Sequence, residues 1–147
     1  MRALIQRVTS AEVRVEGRLA GSCGHGLCVL LGVGADDTEE VCDRLWRKVR
    51  DLRIFADAAG KTNLSLTDVA GELLVVSQFT LYADCRRGNR PSFTDAARPD
   101  LAIPLYERFC DNARRDGFAV GCGVFGADMQ VSLVNDGPFT VMVEIDG

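Results

Sequence analysis

In Leu73-Leu74-Val75-Val76-Ser77-Gln78-Phe79-Thr80-Leu81-Tyr82-Ala83-Asp84 an apolar run gives way abruptly to two hydroxyls and an amide. The run is long enough for a buried strand and too short for a helix, so the pattern predicts a strand from Leu73 to Phe79. Polar groups at the exit of a buried strand cost free energy unless a partner satisfies them. That partner can be another protein group or a bound substrate. Working outward, Gly26-Leu27-Cys28-Val29-Leu30-Leu31-Gly32-Val33 reads as a second, fully buried strand bounded by glycines. Ala3 to Val8 predicts a third strand. Glu12-Val13-Arg14-Val15 alternates, and Glu16-Gly17 turns it into Arg18 to Ala20 as a hairpin. Toward the end of the chain, Ala119 to Cys122, Gln130 to Val134 and Thr140 to Ile145 predict three more strands. The last two are separated by Asn135-Asp136-Gly137-Pro138-Phe139.

Two helices stand between these strands. Asp36-Asp37-Thr38-Glu39-Glu40 supplies capping side chains and acids for the positive end of a helix dipole. Val41, Leu45, Val49 and Leu52 follow at helical spacing with Trp46 beside them, which marks a core face. A second helix is predicted from about Arg98 to Asp116. Pro99 suits its first turn, Pro104 should kink it or split that turn off, and Gly117 ends it. Ala83 to Thr94 is a long irregular segment, of the kind that is functional or mobile in small domains. The sum is a single α+β domain over residues 1–147, with two main helices on mostly antiparallel sheet. Many apolar strands face only two covering helices. A second subunit is one way to cover the remainder.

The bulk composition narrows the function. The 147 residues are 47% hydrophobic, ordinary for a globular chain. Met1 to Arg7 carries no signal-like pattern, and no apolar run approaches the roughly 20 residues that span a bilayer. A cytoplasmic location without membrane contact is therefore the expectation. The six cysteines are irregularly spaced and mostly lie in apolar runs, which reads as buried, reduced thiols. Ligand spacing for zinc is absent and there is one histidine, so neither a metal nor a cofactor is expected. Cys85 lies beside Arg86 and Arg87, a basic setting in which a reactive thiol is the alternative to an inert one. The formal net charge of −4 weighs against a protein that coats nucleic acid, DNA included. It leaves room for one that grips only an end. Arg86-Arg87-Gly88-Asn89-Arg90 is either a solvated loop or a phosphate contact beside the Ser-Gln segment.

The residues for chemistry are few. His25 sits in a glycine-rich turn far along the chain from Ser77, so a Ser-His-Asp relay has no support, and no G-x-S-x-G elbow is present. The glycines of Gly121-Cys122-Gly123-Val124-Phe125-Gly126 match a dinucleotide loop only superficially, because no helix pattern follows. Catalysis here would rest on oriented donors and on groups brought by the substrate. Ser77, Gln78 and Thr80 are suitable donors; the alternative is that the hydroxyls cap the strand or pair across the sheet. At Gly137-Pro138 a trans bond is the ordinary case. A cis bond would aim two rigid carbonyls in one direction, where they could exclude one enantiomer's side chain by clash.

Ser77-Gln78-Phe79-Thr80-Leu81 and Asn135-Asp136-Gly137-Pro138-Phe139-Thr140 together resemble the two signatures of the D-aminoacyl-tRNA deacylase family. The resemblance extends through Gln6-Arg7-Val8, Leu52-Arg53-Ile54-Phe55, Gly60-Lys61 with Asn63 and Ser65, Arg90-Pro91-Ser92-Phe93 and Phe125-Gly126-Ala127-Asp128-Met129. It implies a β-barrel-like homodimer that hydrolyses the ester between a D-amino acid, or mischarged glycine, and the 3′ end of tRNA. It implies that Ser77, Gln78, Phe79 and Thr80 line the reaction centre. By the same likeness Phe125, Ala127, Met129 and Asn135 hold the terminal adenosine, and Gly137 and Pro138 enter the partner's site to reject L-amino acids. Arg86, Arg87 and Arg90 become phosphate contacts on the acceptor end. The ribose 2′-hydroxyl would assist the reaction; a rival makes Thr80 the nucleophile, with no evident base to activate it. Two residues depart from the family pattern. Thr62 stands where methionine is usual, and Phe139 where a small branched residue is usual. The alternatives are a small-molecule esterase with Thr80 or Ser77 as nucleophile, and a non-catalytic module that binds RNA ends.

Overall fold

The computed structural model describes residues 1–147. Its spine is β1 (Arg2–Val15), a strand long enough to serve three neighbours. The Glu16-Gly17 turn has positive φ at both residues, 50° and 77°, the twist that a two-residue hairpin requires. It returns the chain as β2 (Arg18–Cys23), antiparallel to the distal half of β1. β3 (Gly26–Gly32) is antiparallel to the proximal half, from Arg2 to Val8. After α1 (Glu39–Asp51) come the short hairpin of β4 (Phe55–Ala56) and β5 (Thr62–Leu64), then β6 (Glu72–Ser77). α2 (Pro99–Arg115), β7 (Val120–Cys122) and β8 (Gln130–Glu144) complete the chain.

The main sheet runs β2-β1-β3-β6-β7, with β8 antiparallel to β1 over most of its length. The β1 pairings are antiparallel, whereas β3–β6 and β6–β7 are parallel, so the sheet is mixed. Its ends curl toward each other until β7 rests on β2. Glycine makes that approach possible. A Cβ at Gly21 would collide with the Cys122 carbonyl, and one at Gly121 with the Ser22 carbonyl. The result is a nearly closed, barrel-like core.

The helices cover one face. Thr38 caps α1 by accepting from the Val41 N–H at 3.3 Å, with Glu39 and Glu40 in the first turn. Val41, Leu45, Trp46 and Val49 pack with Leu105, Phe109 and Ala113 of α2 onto Ala3, Ile5, Leu27, Val29, Leu73 and Val75. Trp46 meets Phe109 and Phe118 edge-on at 5.5 Å each. Full burial of a side chain such as Phe109 contributes about 1.5–3 kcal/mol. A second cluster, Val8, Ala11, Val13, Cys23, Cys28, Leu74 and Val76, fills the inside of the curl.

Three expectations are corrected. The strand that begins at Leu73 does not reach Phe79. It ends at Ser77, and Phe79–Tyr82 forms a 3-10 turn. The Gln78 N–H still bonds the Leu31 carbonyl at 2.8 Å. Beyond it the Leu81 and Tyr82 side chains fold back over Gly32 and Gly34, where a Cβ would obstruct them. Second, Pro104 does not split off the first turn of α2, which runs unbroken from Pro99 to Arg115. The carbonyl left without an N–H partner there is that of Asp100, in an exposed first turn open to water. Third, Gln130 to Glu144 is one strand rather than two. Asn135 pairs with Val8 and Thr140 with Gln6, so Asp136–Phe139 bulges out opposite Arg7 alone. The Gly137-Pro138 peptide within the bulge is cis. No helix is long and apolar enough to cross a membrane.

Candidate active site

Parallel pairing of β3 with β6 brings Leu31 beside Ser77. The polar residues therefore emerge beside the apolar end of a neighbouring strand, and a cavity of about 270 Å³ opens there. Ser77, Gln78 and Phe79 form one side. Phe125, Ala127 and Met129, from the loop after β7, form the other. Tyr106 of α2 closes the back. Its hydroxyl donates to the Val75 carbonyl at 2.8 Å, and its ring meets Phe125 at 6.2 Å. The lining is mainly apolar with a few polar atoms at the mouth, the usual make-up of a small-ligand site.

Within this site the polar atoms are unequal. The Ser77 hydroxyl makes no hydrogen bond within the chain, although the residue is half-buried. The Gln78 amide donates to the Thr80 hydroxyl. Thr80 itself is exposed and lies outside the cavity lining, and no histidine, lysine or carboxylate bonds to it. Phe79 is 57% exposed and stacks edge-on with Phe93 at 5.1 Å, forming an apolar lip. The 3-10 turn is pinned from below. Arg2 donates to the Leu81 carbonyl at 2.7 Å and lies over the Tyr82 ring. Tyr82 donates to Asp37, which also receives the N-terminal ammonium at 2.6 Å. Burial, then the Asp37 charge, pushes the Tyr82 hydroxyl well above its ordinary pKa, so it remains a donor. His25 is exposed in the turn before β3, against Phe55, and takes no part in the cavity.

Asn135, Gly137 and Pro138 do not line the cavity. They belong to the bulge, which is bound tightly to its own sheet. Asn135 accepts from the Phe139 N–H at 2.7 Å and donates to the Thr140 hydroxyl at 2.8 Å. Arg7 donates to the Asp136 carbonyl at 3.0 Å and to the Ile54 carbonyl at 2.7 Å, and its guanidinium lies 4.8 Å from the Phe139 ring centre. Gly137 has φ of +138°, a conformation that side chains rarely adopt, and a Cβ there would press on Arg7 at 3.0 Å. Phe139 is thus held inward by Arg7 and packs against the core. Gly137 and Pro138 are left exposed at the tip.

The arginine loop is divided. Arg86 is held by Asp84 in a two-point ion pair, at 2.7 and 2.8 Å. Arg87 and Arg90 are exposed and make no ion pair. No three histidine, cysteine or acidic side chains converge in the geometry of a metal site. Reading the sequence missed Tyr106, Arg2 and Asp37. Each acts through a partner more than 30 residues away, and no local pattern marks such a pairing.

Comparison with known proteins places this geometry. The chain is 59% identical over 144 residues to the D-aminoacyl-tRNA deacylase of Roseiflexus castenholzii, covering 98% of this chain and 92% of that one. It is 57% identical to the corresponding protein of Thermotoga petrophila, covering 98% and 97%. A solved structure of the c-Myc DNA Unwinding Element Binding Protein superposes with a TM-score of 0.94 at 39% identity over the whole of both chains. A probable eukaryotic D-amino acid tRNA deacylase superposes with a TM-score of 0.86 over 98% of each chain; at 20% identity this is a likeness of fold. The match to the D-Tyr-tRNA(Tyr) deacylase family runs from residue 4 to residue 144, and the chain belongs to that family.

Proposed function

We infer that this chain is a hydrolase that cleaves the ester of D-aminoacyl-tRNA, releasing the D-amino acid and free tRNA. The observation that carries the reading is the cavity itself. The Ser77-Gln78-Phe79 strand exit, with an unpartnered hydroxyl, faces aromatic and thioether walls of a size for one nucleoside end. In this reading Ser77, Gln78, Phe79 and Thr80 surround the scissile ester. Phe125, Ala127 and Met129 receive the terminal adenine by stacking and apolar contact. Asn135 braces the bulge. Gly137 and Pro138, inserted from a second protomer, occupy the space that an L side chain would need, so D-amino acids and glycine are accepted. Arg87 and Arg90 meet acceptor phosphates, Arg86 after parting from Asp84. Residues 1–147 act as one domain of a homodimer.

Water adds to the ester carbonyl and the ribose 3′ oxygen leaves. The main-chain N–H groups around Phe79 and Thr80 and the Ser77 hydroxyl are the donors available for the developing oxyanion. With no side-chain base at the site, the 2′-hydroxyl of the terminal ribose is the group nearest the reaction that can manage the proton. A deacylation assay on D-, L- and glycyl-tRNA, with a 2′-deoxyadenosine-terminated D-aminoacyl-tRNA alongside, tests both parts. Turnover of the D and glycyl forms alone supports the activity. Turnover of the 2′-deoxy form at an undiminished rate overturns the RNA-assisted mechanism.

One further observation favours a second reading. The 39% identical relative carries a name that assigns it a DNA unwinding element. Titration of the full chain with single-stranded and duplex DNA at several salt concentrations tests whether that property extends here, against the formal charge of −4.

A further inference from the structure

Two cysteines outside the cavity form a built pair. Cys110, on α2, is 1% exposed; Cys122, at the end of β7, is half-buried. Their sulfurs lie 3.6 Å apart, and the Arg114 guanidinium sits 3.2 Å from the Cys122 sulfur. The other four cysteines have no sulfur neighbour of this kind. Burial pushes the thiols of Cys23, Cys28 and Cys42 up to about 11, 12 and 12, and Cys85 is exposed. At the pair, the contact with the Cys110 sulfur first, then the Arg114 guanidinium, hold the Cys122 thiol below its ordinary value. The same contact, with burial, pushes Cys110 up. A half-buried sulfur beside a guanidinium, with a second sulfur 3.6 Å away, is the arrangement of an attacking and a resolving thiol.

We propose that Cys110 and Cys122 are a peroxide-sensitive modification site that closes to a disulfide joining α2 to β7. The Cys122 thiolate attacks one peroxide oxygen. An S–O bond forms, the O–O bond breaks, and hydroxide leaves as water after taking a proton. Cys110 sulfur then attacks the Cys122 sulfenic acid. An S–S bond forms, the S–O bond breaks, and hydroxide leaves with the Cys110 proton. The pair loses two electrons and one hydrogen peroxide is reduced to two waters. Closing from 3.6 Å to a bond of about 2.05 Å brings the two sulfurs about 1.5 Å closer and fixes α2 to β7 through a covalent link. Tyr106 lies one turn before Cys110, and Phe125 follows Cys122 by three residues; both line the cavity. A displacement of about 1 Å in positioning groups costs up to about 100-fold, so a link that shifts Tyr106 or Phe125 by part of that distance should lower deacylation by about tenfold. That consequence rests on the deacylase reading, whereas the cross-link does not.

The test treats the full chain with stepwise hydrogen peroxide, blocks free thiols, and digests with trypsin without reduction. Arg114 and Arg115 separate the two cysteines, so a disulfide shows as two joined peptides that dithiothreitol parts. The expected result is that joined pair at low peroxide, with activity lost in step and restored by dithiothreitol. Cys110→Ser and Cys122→Ser should keep basal turnover and lose the response. Two results overturn the site: both cysteines remaining alkylatable while Cys85 is consumed, or Cys122 passing to sulfinic acid with no joined peptide. A joined peptide with unchanged turnover retains the modification site and removes its link to the cavity.

Discussion

The strand exit at Ser77–Tyr82 and the bulge at Asn135–Thr140 are both polar interruptions of apolar strands, yet they are built in opposite ways. The exit leaves polar capacity unspent. Ser77 has no partner within the chain, and Gln78 and Thr80 satisfy each other at an exposed edge. The bulge spends its capacity internally, on Arg7, Asn135 and Thr140. An unspent group is available to a ligand, while a spent one is fixed in place. The contrast suits one segment for chemistry and the other for shape.

The largest effect should come from the wall that both roles depend on. Phe125→Ala removes a ring placed to stack on a base, worth about 1–3 kcal/mol, so kcat/KM for D-aminoacyl-tRNA should fall by about 5- to 150-fold. Steady-state kinetics with full-length tRNA measures it. An unchanged value would move the adenosine elsewhere.

Arg7→Ala strikes the bulge alone. Hydrogen bonds from a charged group contribute about 1.5–3 kcal/mol, enough for roughly a tenfold loss of discrimination between D- and L-aminoacyl-tRNA. Paired turnover of the two enantiomers reads this out. Lysine at position 7 should not rescue it, because one ammonium cannot hold the Ile54 and Asp136 carbonyls as the guanidinium fork does. If turnover of the D form collapses instead, the bulge is part of the chemistry and the contrast fails.

Thr80→Ala should cost only what one hydrogen bond contributes, about 0.5–1.5 kcal/mol, or up to about tenfold in kcat. Complete loss of turnover, with a covalent acyl adduct on the wild-type protein, would make Thr80 a nucleophile. The smallest effect should belong to His25. Loss of a general base costs about 10²- to 10⁴-fold, whereas His25→Ala should leave turnover within about twofold. The pH profile of kcat/KM should be unmoved by that change.

Much of the fold was legible in order along the chain. The Glu16-Gly17 hairpin, the Thr38 cap, the helical stripe from Val41 to Val49 and the buried strand at Gly26–Gly32 each follow from neighbouring residues. The corrected points share a cause. The end of β6, the passage of α2 through Pro104 and the fusion of two predicted strands into β8 all depend on what lies across the structure. Of the candidate site, the residues were legible and their grouping was not. Ser77, Gln78, Phe79, Phe125, Ala127 and Met129 share a cavity, whereas Thr80 and Asn135 stand outside it.

Local periodicity and turn chemistry act over a few residues, so the sequence by itself determined the elements, their caps and the two polar interruptions. Tertiary structure alone decided that Arg7 would brace Asp136 from 129 residues away, that Tyr106 would back the cavity, and that Cys110 would touch Cys122. Those pairings arise from register and packing between distant segments. Close-packed interiors select them only when the whole sheet has curled and the helices have settled on its face.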